Sequence, residues 1–213
     1  MMRRILHPLL IVLAFVASAI AWPRLPDQVP VHWNLQGEVD RYGSRFEGAI
    51  LMPALMAIIW ILLRTLPKVD PKRANYARME STYEFVITLT LASLLAIHAV
   101  VLAATLGYDV RIDMVVPLLV GVMLMAIGNV IPRAKPNWWF GVRTPWTLTN
   151  ERVWVRTHRV AGYALMFAGL VFVAAAFLPA APVRLVLIVL AILAALFPIV
   201  YSYVAWRQET SAR

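Results

Sequence analysis

A chain of 213 residues that is 62% hydrophobic and 15% charged, with mean hydropathy +0.74, lacks the composition of a soluble domain, which sits nearer half apolar and a quarter charged. Its net charge of +9 lies mostly beside apolar runs, as membrane orientation and anionic headgroups require, so direct nucleic-acid binding is not expected. Cysteine is absent, which excludes disulfides, thiolate metal sites and a Cys nucleophile.

In chain order, apolar runs occupy 5–22, 48–66, 84–106, 113–131, 160–178 and 183–206. Each is close to the roughly 20 residues a spanning helix uses, so the expected fold is an all-α integral membrane protein of six transmembrane helices. The connections are too short for an independent soluble domain, which excludes a tethered enzyme or receptor head. An N-terminal half, 1–112, would carry helices one to three, and a second half, 113–213, helices four to six. Fourteen Lys and Arg, Arg3 to Arg213, lie at the termini and in 67–83 and 132–159. Only five lie in the other connections, and Arg64 closes the second span. Basic loops stay in the cytoplasm, so both termini are expected there, in a bacterial inner membrane. The first span also reads as a secretory signal peptide, with small residues at 17–19 and 19–21. Its apolar run continues to Trp22, which favours a retained helix.

Between the first two spans, 23–47 is an external, proline-punctuated connection. Val29, Val31 and Trp33 alternate with polar residues, which predicts a short strand. Asn34, Leu35, Gln36 and Gly37 follow as a turn, and Val39–Tyr42 as a returning strand. So small a ribbon needs the helix ends for support. His32 and Asp40 could touch a metal, but two ligands are too few for a metal site. The connection reads as a packed cap or as a recognition surface.

Within the spans, none of the eleven carboxylates lies near a helix middle, which argues against ion-coupled transport. Glu84 and Asp113 stand at span ends. His98 is the intramembrane polar candidate. Its alternative is a neutral imidazole hydrogen-bonded to a neighbouring helix. Pro53, Pro117 and Pro198 are expected to kink their helices. Ala164/Ala168 and Ala191/Ala195 fit small-residue helix packing. No catalytic motif is present and the four histidines are scattered, so neither an enzyme nor a cofactor is expected.

The connection 132–159 holds half of the eight tryptophans and six basic residues beside one acid, Glu151. Interfacial anchoring to anionic lipids would use such a composition. It would not require the punctuation by Pro132, Pro136, Pro145 and Gly141, which points to an ordered structure. Asn150 is a plausible N-cap for a helix through Arg159 into the fifth span, with Trp154 and His158 on one face.

The string Gly128-Asn129-Val130-Ile131-Pro132-Arg133, then Asn137 through Leu148 with Gly141, Arg143, Thr144, Pro145, Trp146 and Thr147, then Asn150, Trp154 and His158, closely resembles the SdpI family. The external string Leu25-Pro26 through His32-Trp33-Asn34, with Gly37 and Asp40, resembles the short uncharacterised module that often precedes it. The segment 67–83 matches no known motif. The resemblance implies a bacterial membrane protein that gives immunity to a secreted peptide toxin and signals by holding a transcriptional repressor at the membrane. On that reading His32, Trp33, Asn34, Gly37 and Asp40 contribute to toxin sensing. Asn129, Pro132, Arg133, Asn137, Gly141, Arg143, Thr144, Pro145, Trp146, Thr147, Asn150 and Trp154 build a cytoplasmic platform for a partner. The alternatives are a small-molecule or lipid transporter and a structural protein anchored to anionic lipid.

Overall fold

A computed structural model describes residues 2–34, 36–178 and 181–211. Leu35 of the expected turn and Arg213 lie outside them. Helix α1 (Met2–Ala21) and a 3-10 turn (Trp22–Arg24) lead to strands β1 (Gln28–Trp33) and β2 (Val39–Ser44). Then come α2 (Arg45–Val69), α3 (Ala74–Arg78), α4 (Glu80–Thr105), α5 (Ile112–Val130), α6 (Pro145–Thr149), α7 (Glu151–Ala176) and α8 (Ala181–Ser211). Among the described residues, six helices are long and apolar enough to cross a membrane. The chain is an all-α multi-pass membrane protein with one small hairpin.

The helices outrun the apolar runs where charge interrupts hydropathy but not hydrogen bonding. The fifth, expected over 160–178, begins at Glu151 because Arg152, Arg156 and Arg159 break the apolar run without breaking the helix. The sixth continues to Ser211. The third begins at Glu80, which places Glu84 a turn inside it. The Arg64 guanidinium there grips both Glu84 carboxylate oxygens, so each charge enters apolar surroundings with a partner. Helices α5 and α8 continue through Pro117 and Pro198.

The chain forms two compact units, residues 1–63 with 87–117 and residues 64–86 with 118–213. In the first, Ala21, Leu25, Ala49 and Leu102 make a small buried cluster. β1 and β2 pair antiparallel from Gln28↔Ser44 to Trp33↔Val39, with irregular register around His32. Val29 is fully buried, and a Cβ on Gly48 of α2 would run into it. This is how the ribbon gains the support it cannot supply itself. His98 is buried, and its Nε2 lies 2.8 Å from Ser18 Oγ of α1. The helix-to-helix hydrogen bond foreseen as the alternative for this residue is therefore present.

The second unit is held by backbone proximity. A Cβ on Gly169 of α7 would lie 2.5 Å from the Gly121 carbonyl of α5, and one on Gly121 would lie 2.7 Å from the Gly169 carbonyl. One turn pair along, Gly128 and Gly162 repeat the relation at 2.9 and 3.0 Å. Small residues let helix backbones meet where lipid provides no hydrophobic drive between helices. The expected alanine pairs play a lesser part: Ala168 and Ala191 are buried, whereas Ala164 and Ala195 are half-buried. Gly169→Leu should cost about 3 kcal/mol by forcing the helices apart. Thermal unfolding in detergent checks this against Phe167→Leu, a change on an exposed face.

Candidate functional site

The segment between α5 and α7 is ordered by side chains that replace missing secondary structure. After Val130 a 3-10 turn (Ile131–Arg133) delivers the chain to Asn137, which is fully buried. Asn137 Nδ2 donates to the carbonyls of Lys135 and Phe140 at 2.8 and 2.9 Å. Its Oδ1 accepts from the N–H groups of Trp139 and Phe140 at 2.9 and 2.6 Å. One amide thus ties four backbone groups that no strand or helix would satisfy. Gly141 follows at φ +105°, a conformation a Cβ would oppose. There is no room for a Cβ either, since it would meet His158 Nε2.

Thr144 then caps α6. Its hydroxyl accepts from Thr147 N–H, while Thr147 Oγ1 accepts from Thr144 N–H at 2.9 Å, with Pro145 in the first turn. This reciprocal box satisfies two donors that a helix start leaves open. Asn150 caps α7 as expected, accepting from the N–H groups of Arg152 and Val153. Trp154 and His158 stack with ring centroids 4.0 Å apart. Trp154 Nε1 donates to the Ala134 carbonyl at 2.8 Å. His158 Nδ1 lies 2.8 Å from the Trp154 carbonyl, which can only accept, so Nε2 is free to accept from Val142 N–H at 3.1 Å.

The basic segment 67–83, which matched nothing in the sequence, is the other half of this structure. Asp70 is buried at the end of α2. Its Oδ2 accepts from Trp138 N–H and from the Tyr76 hydroxyl, both at 2.9 Å, and its Oδ1 accepts from Lys72 N–H at 2.7 Å. Burial, and then the bond to Asp70, hold the Tyr76 phenol well above its ordinary pKa, so it remains a donor. Asn75 Nδ2 donates to the Pro136 carbonyl at 2.7 Å and Lys72 Nζ to the Leu148 carbonyl at 2.8 Å. Four residues of an unremarkable loop thereby position Pro136, Trp138 and Leu148.

Of the platform residues read from sequence, Asn137, Gly141, Thr144, Thr147, Asn150 and Trp154 form this network. Pro145 starts α6, and Pro132 packs where a Gly162 side chain would stand. Trp146 lies against Tyr203 and Trp206 of α8, with ring centroids 5.1 and 6.3 Å away. Arg143 is exposed and donates to the Trp138 carbonyl at 2.9 Å. Asn129 and Arg133 are exposed and stand apart from the network. The assembled surface offers Trp138, Trp139, Arg133 and Arg143 outward over a rigid base. That is a surface suited to headgroups or to a protein partner.

In the first unit, Asn34 closes the expected turn, its Oδ1 accepting from the N–H groups of Gln36 and Glu38 at 3.0 Å. Gly37 takes φ +84°. His32 Nδ1 and Asp40 Oδ1 lie 2.5 Å apart across the strands and pair with each other. Trp33 is half-buried opposite Val39.

Residues 133–202, from the loop through α7 into α8, match the SdpI/YfhL protein family. Over 213 residues, all of both chains, the protein is 27% identical to the protein named Immunity protein SdpI of Bacillus subtilis (strain 168). The chain resembles the SdpI/YfhL family over residues 133–202. Residues 9–57, from α1 through the hairpin into α2, match a domain of unknown function, DUF1648. Over 48 residues, 22% of this chain and 53% of the other, it is 29% identical to Uncharacterized membrane protein YbgB of the same organism. No solved structure matches significantly. The SdpI/YfhL match covers the network's Asn137, Thr144, Asn150 and Trp154, whereas Asp70 and Asn75 lie outside it.

Proposed function

We propose that this protein is a membrane immunity protein that protects a bacterial cell from a secreted peptide toxin and signals by holding a transcriptional repressor at the membrane. The full-length correspondence with Immunity protein SdpI carries the reading. Both termini lie in the cytoplasm, following the basic residues of the termini, 67–83 and 132–159. The hairpin then faces outward, and His32, Trp33, Asn34, Gly37 and Asp40 meet the toxin. The ordered loop faces inward, where Arg143, Trp138 and Trp139 take anionic headgroups or the repressor.

Expression in a toxin-sensitive bacterium tests this, with survival measured against a panel of secreted peptide toxins. The wild-type chain should protect against at least one of them. Arg143→Ala should abolish protection and repressor recruitment at an unchanged membrane level. Arg143→Lys should restore little, because a diffuse headgroup attraction would tolerate Lys but a shaped contact needs the guanidinium fork. Full protection by Arg143→Ala would remove the platform role. No protection by correctly inserted wild type would remove the immunity reading.

A further inference from the structure

The second unit contains a groove of about 430 Å³ lined by α5, α7, α8 and loop residues 140–144. Ile127 and Ile131 of α5, Leu165 of α7 and Ala195 and Ile199 of α8 supply apolar wall. Among the described residues that line it, Arg143 alone is charged. We propose that this groove seats one acyl tail of an anionic phospholipid whose phosphate binds Arg143.

The openness of the groove points to a lipid. α7 packs against α5 through glycines and also against α8. The groove opens beside α8, where Ile199 is 47% exposed. The surroundings of a spanning helix are hydrocarbon, so an acyl tail enters from the side without crossing water. An open apolar trough accepts a flexible tail and does not demand a ligand of fixed outline.

The position of the groove sets the level of the headgroup. Arg133 and Arg159 bound the apolar runs of α5 and α7 on the loop side. Such basic boundaries lie among headgroups, and loop residues 140–144 line the groove there.

Charge then selects the headgroup. Arg143 is exposed, and its Nη1 donates to the Trp138 carbonyl at 2.9 Å. Among the described residues that is its one hydrogen bond, and no acid pairs with it. Nε and Nη2 therefore keep N–H groups for a phosphate, in the charge-assisted two-point contact a guanidinium favours. The hydroxyl of Thr144, also on the wall, is already bound to Thr147 and Ser202. An apolar trough that ends in one unpaired cation complements a hydrocarbon tail that ends in an anion. The site rests on the membrane-spanning fold and not on the immunity reading, and its test does not measure protection.

Native mass spectrometry of the full chain in detergent micelles, titrated with phosphatidylglycerol and with phosphatidylethanolamine of matched tails, counts the bound lipids. The first phosphatidylglycerol should bind about fivefold more tightly than phosphatidylethanolamine, the ratio one Arg beside an anionic headgroup supplies. Arg143→Gln, which keeps a donor for the Trp138 carbonyl, should equalise the two lipids. Arg207→Gln, which removes an exposed cation outside the groove, should leave the preference intact. Ala195→Phe narrows the trough without removing a side-chain hydrogen bond, and should weaken both lipids about tenfold, the loss of roughly two buried methylenes. Soluble glycerophosphoglycerol, the headgroup without its tails, should not displace bound lipid. Equal wild-type affinities, or a preference that survives in folded Arg143→Gln or is lost equally in Arg207→Gln, would overturn the proposal. Binding unaffected by Ala195→Phe, or displacement by the soluble headgroup, would overturn it too.

Discussion

Asp70→Ala should destabilise the second unit by about 3 kcal/mol, because it strips buried donors of a charged acceptor. Trp138 N–H loses its only described partner, and Lys72 N–H loses the bond that shapes the turn into α3. Tyr76 keeps an acceptor in Asn137 Oδ1 at 3.3 Å, a longer and weaker contact. The loss should appear as earlier thermal or denaturant unfolding in detergent, with altered tryptophan emission because Trp138 is released. Asp70→Asn should fall between the two, since its amide retains one acceptor oxygen but presents N–H groups to donors. Asp27→Ala removes a carboxylate that is 97% exposed and ion-paired with Arg45, and should stay within about 0.5 kcal/mol of wild type. An Asp70→Ala protein as stable as wild type would mean that 67–83 does not hold the loop.

Gly141→Ala should cost about 2–4 kcal/mol for two separable reasons. The backbone at φ +105° disfavours any Cβ, worth about 1–2 kcal/mol. The added methyl also displaces the His158 ring, and with it the acceptor for Val142 N–H, worth about another 1–2 kcal/mol. The double variant Gly141→Ala/His158→Ala separates them. It relieves the collision but not the backbone term, so the two changes should be non-additive by about 1 kcal/mol or more. Strict additivity in unfolding free energy would show that the collision contributes nothing.

The parts of this fold that are local in sequence were legible in it. Hydropathy located all six long helices because each must satisfy its own backbone in lipid. Alternation at Val29, Val31 and Trp33, followed by Asn34 and Gly37, specified the hairpin and its turn. Asn150 announced the start of α7, because a short polar acceptor before a helix has one dominant use. The loop between Pro132 and Asn150 could be seen to be ordered, since prolines and Gly141 constrain backbone that an interfacial anchor would leave unconstrained.

What those residues bind was another matter. Asp70 sits in a basic connection, where a lone carboxylate normally remains solvated, yet it is buried against Trp138, 68 positions away. Nothing within a few residues of Asp70, Lys72 or Asn75 signals that partnership. Gly121, Gly128, Gly162 and Gly169 did carry a signal, a shared spacing of seven on two helices, which the alanine pairs obscured. Asn129 and Arg133 illustrate the opposite case: their place in a recognisable string does not bring them into the network.

The sequence by itself determined how many times the chain can cross a membrane, which loops carry the charge, and where local turns and caps begin. These follow from the cost of exposing backbone and charge to hydrocarbon, which each segment meets alone. Only the tertiary structure decided that 67–83 holds the 132–150 loop, that glycines bring α5 and α7 into backbone contact, and that His98 meets Ser18 of α1. Those outcomes depend on distances between residues far apart in the chain. A hydrogen bond or a close approach is decided over a few ångströms, which composition and spacing do not encode.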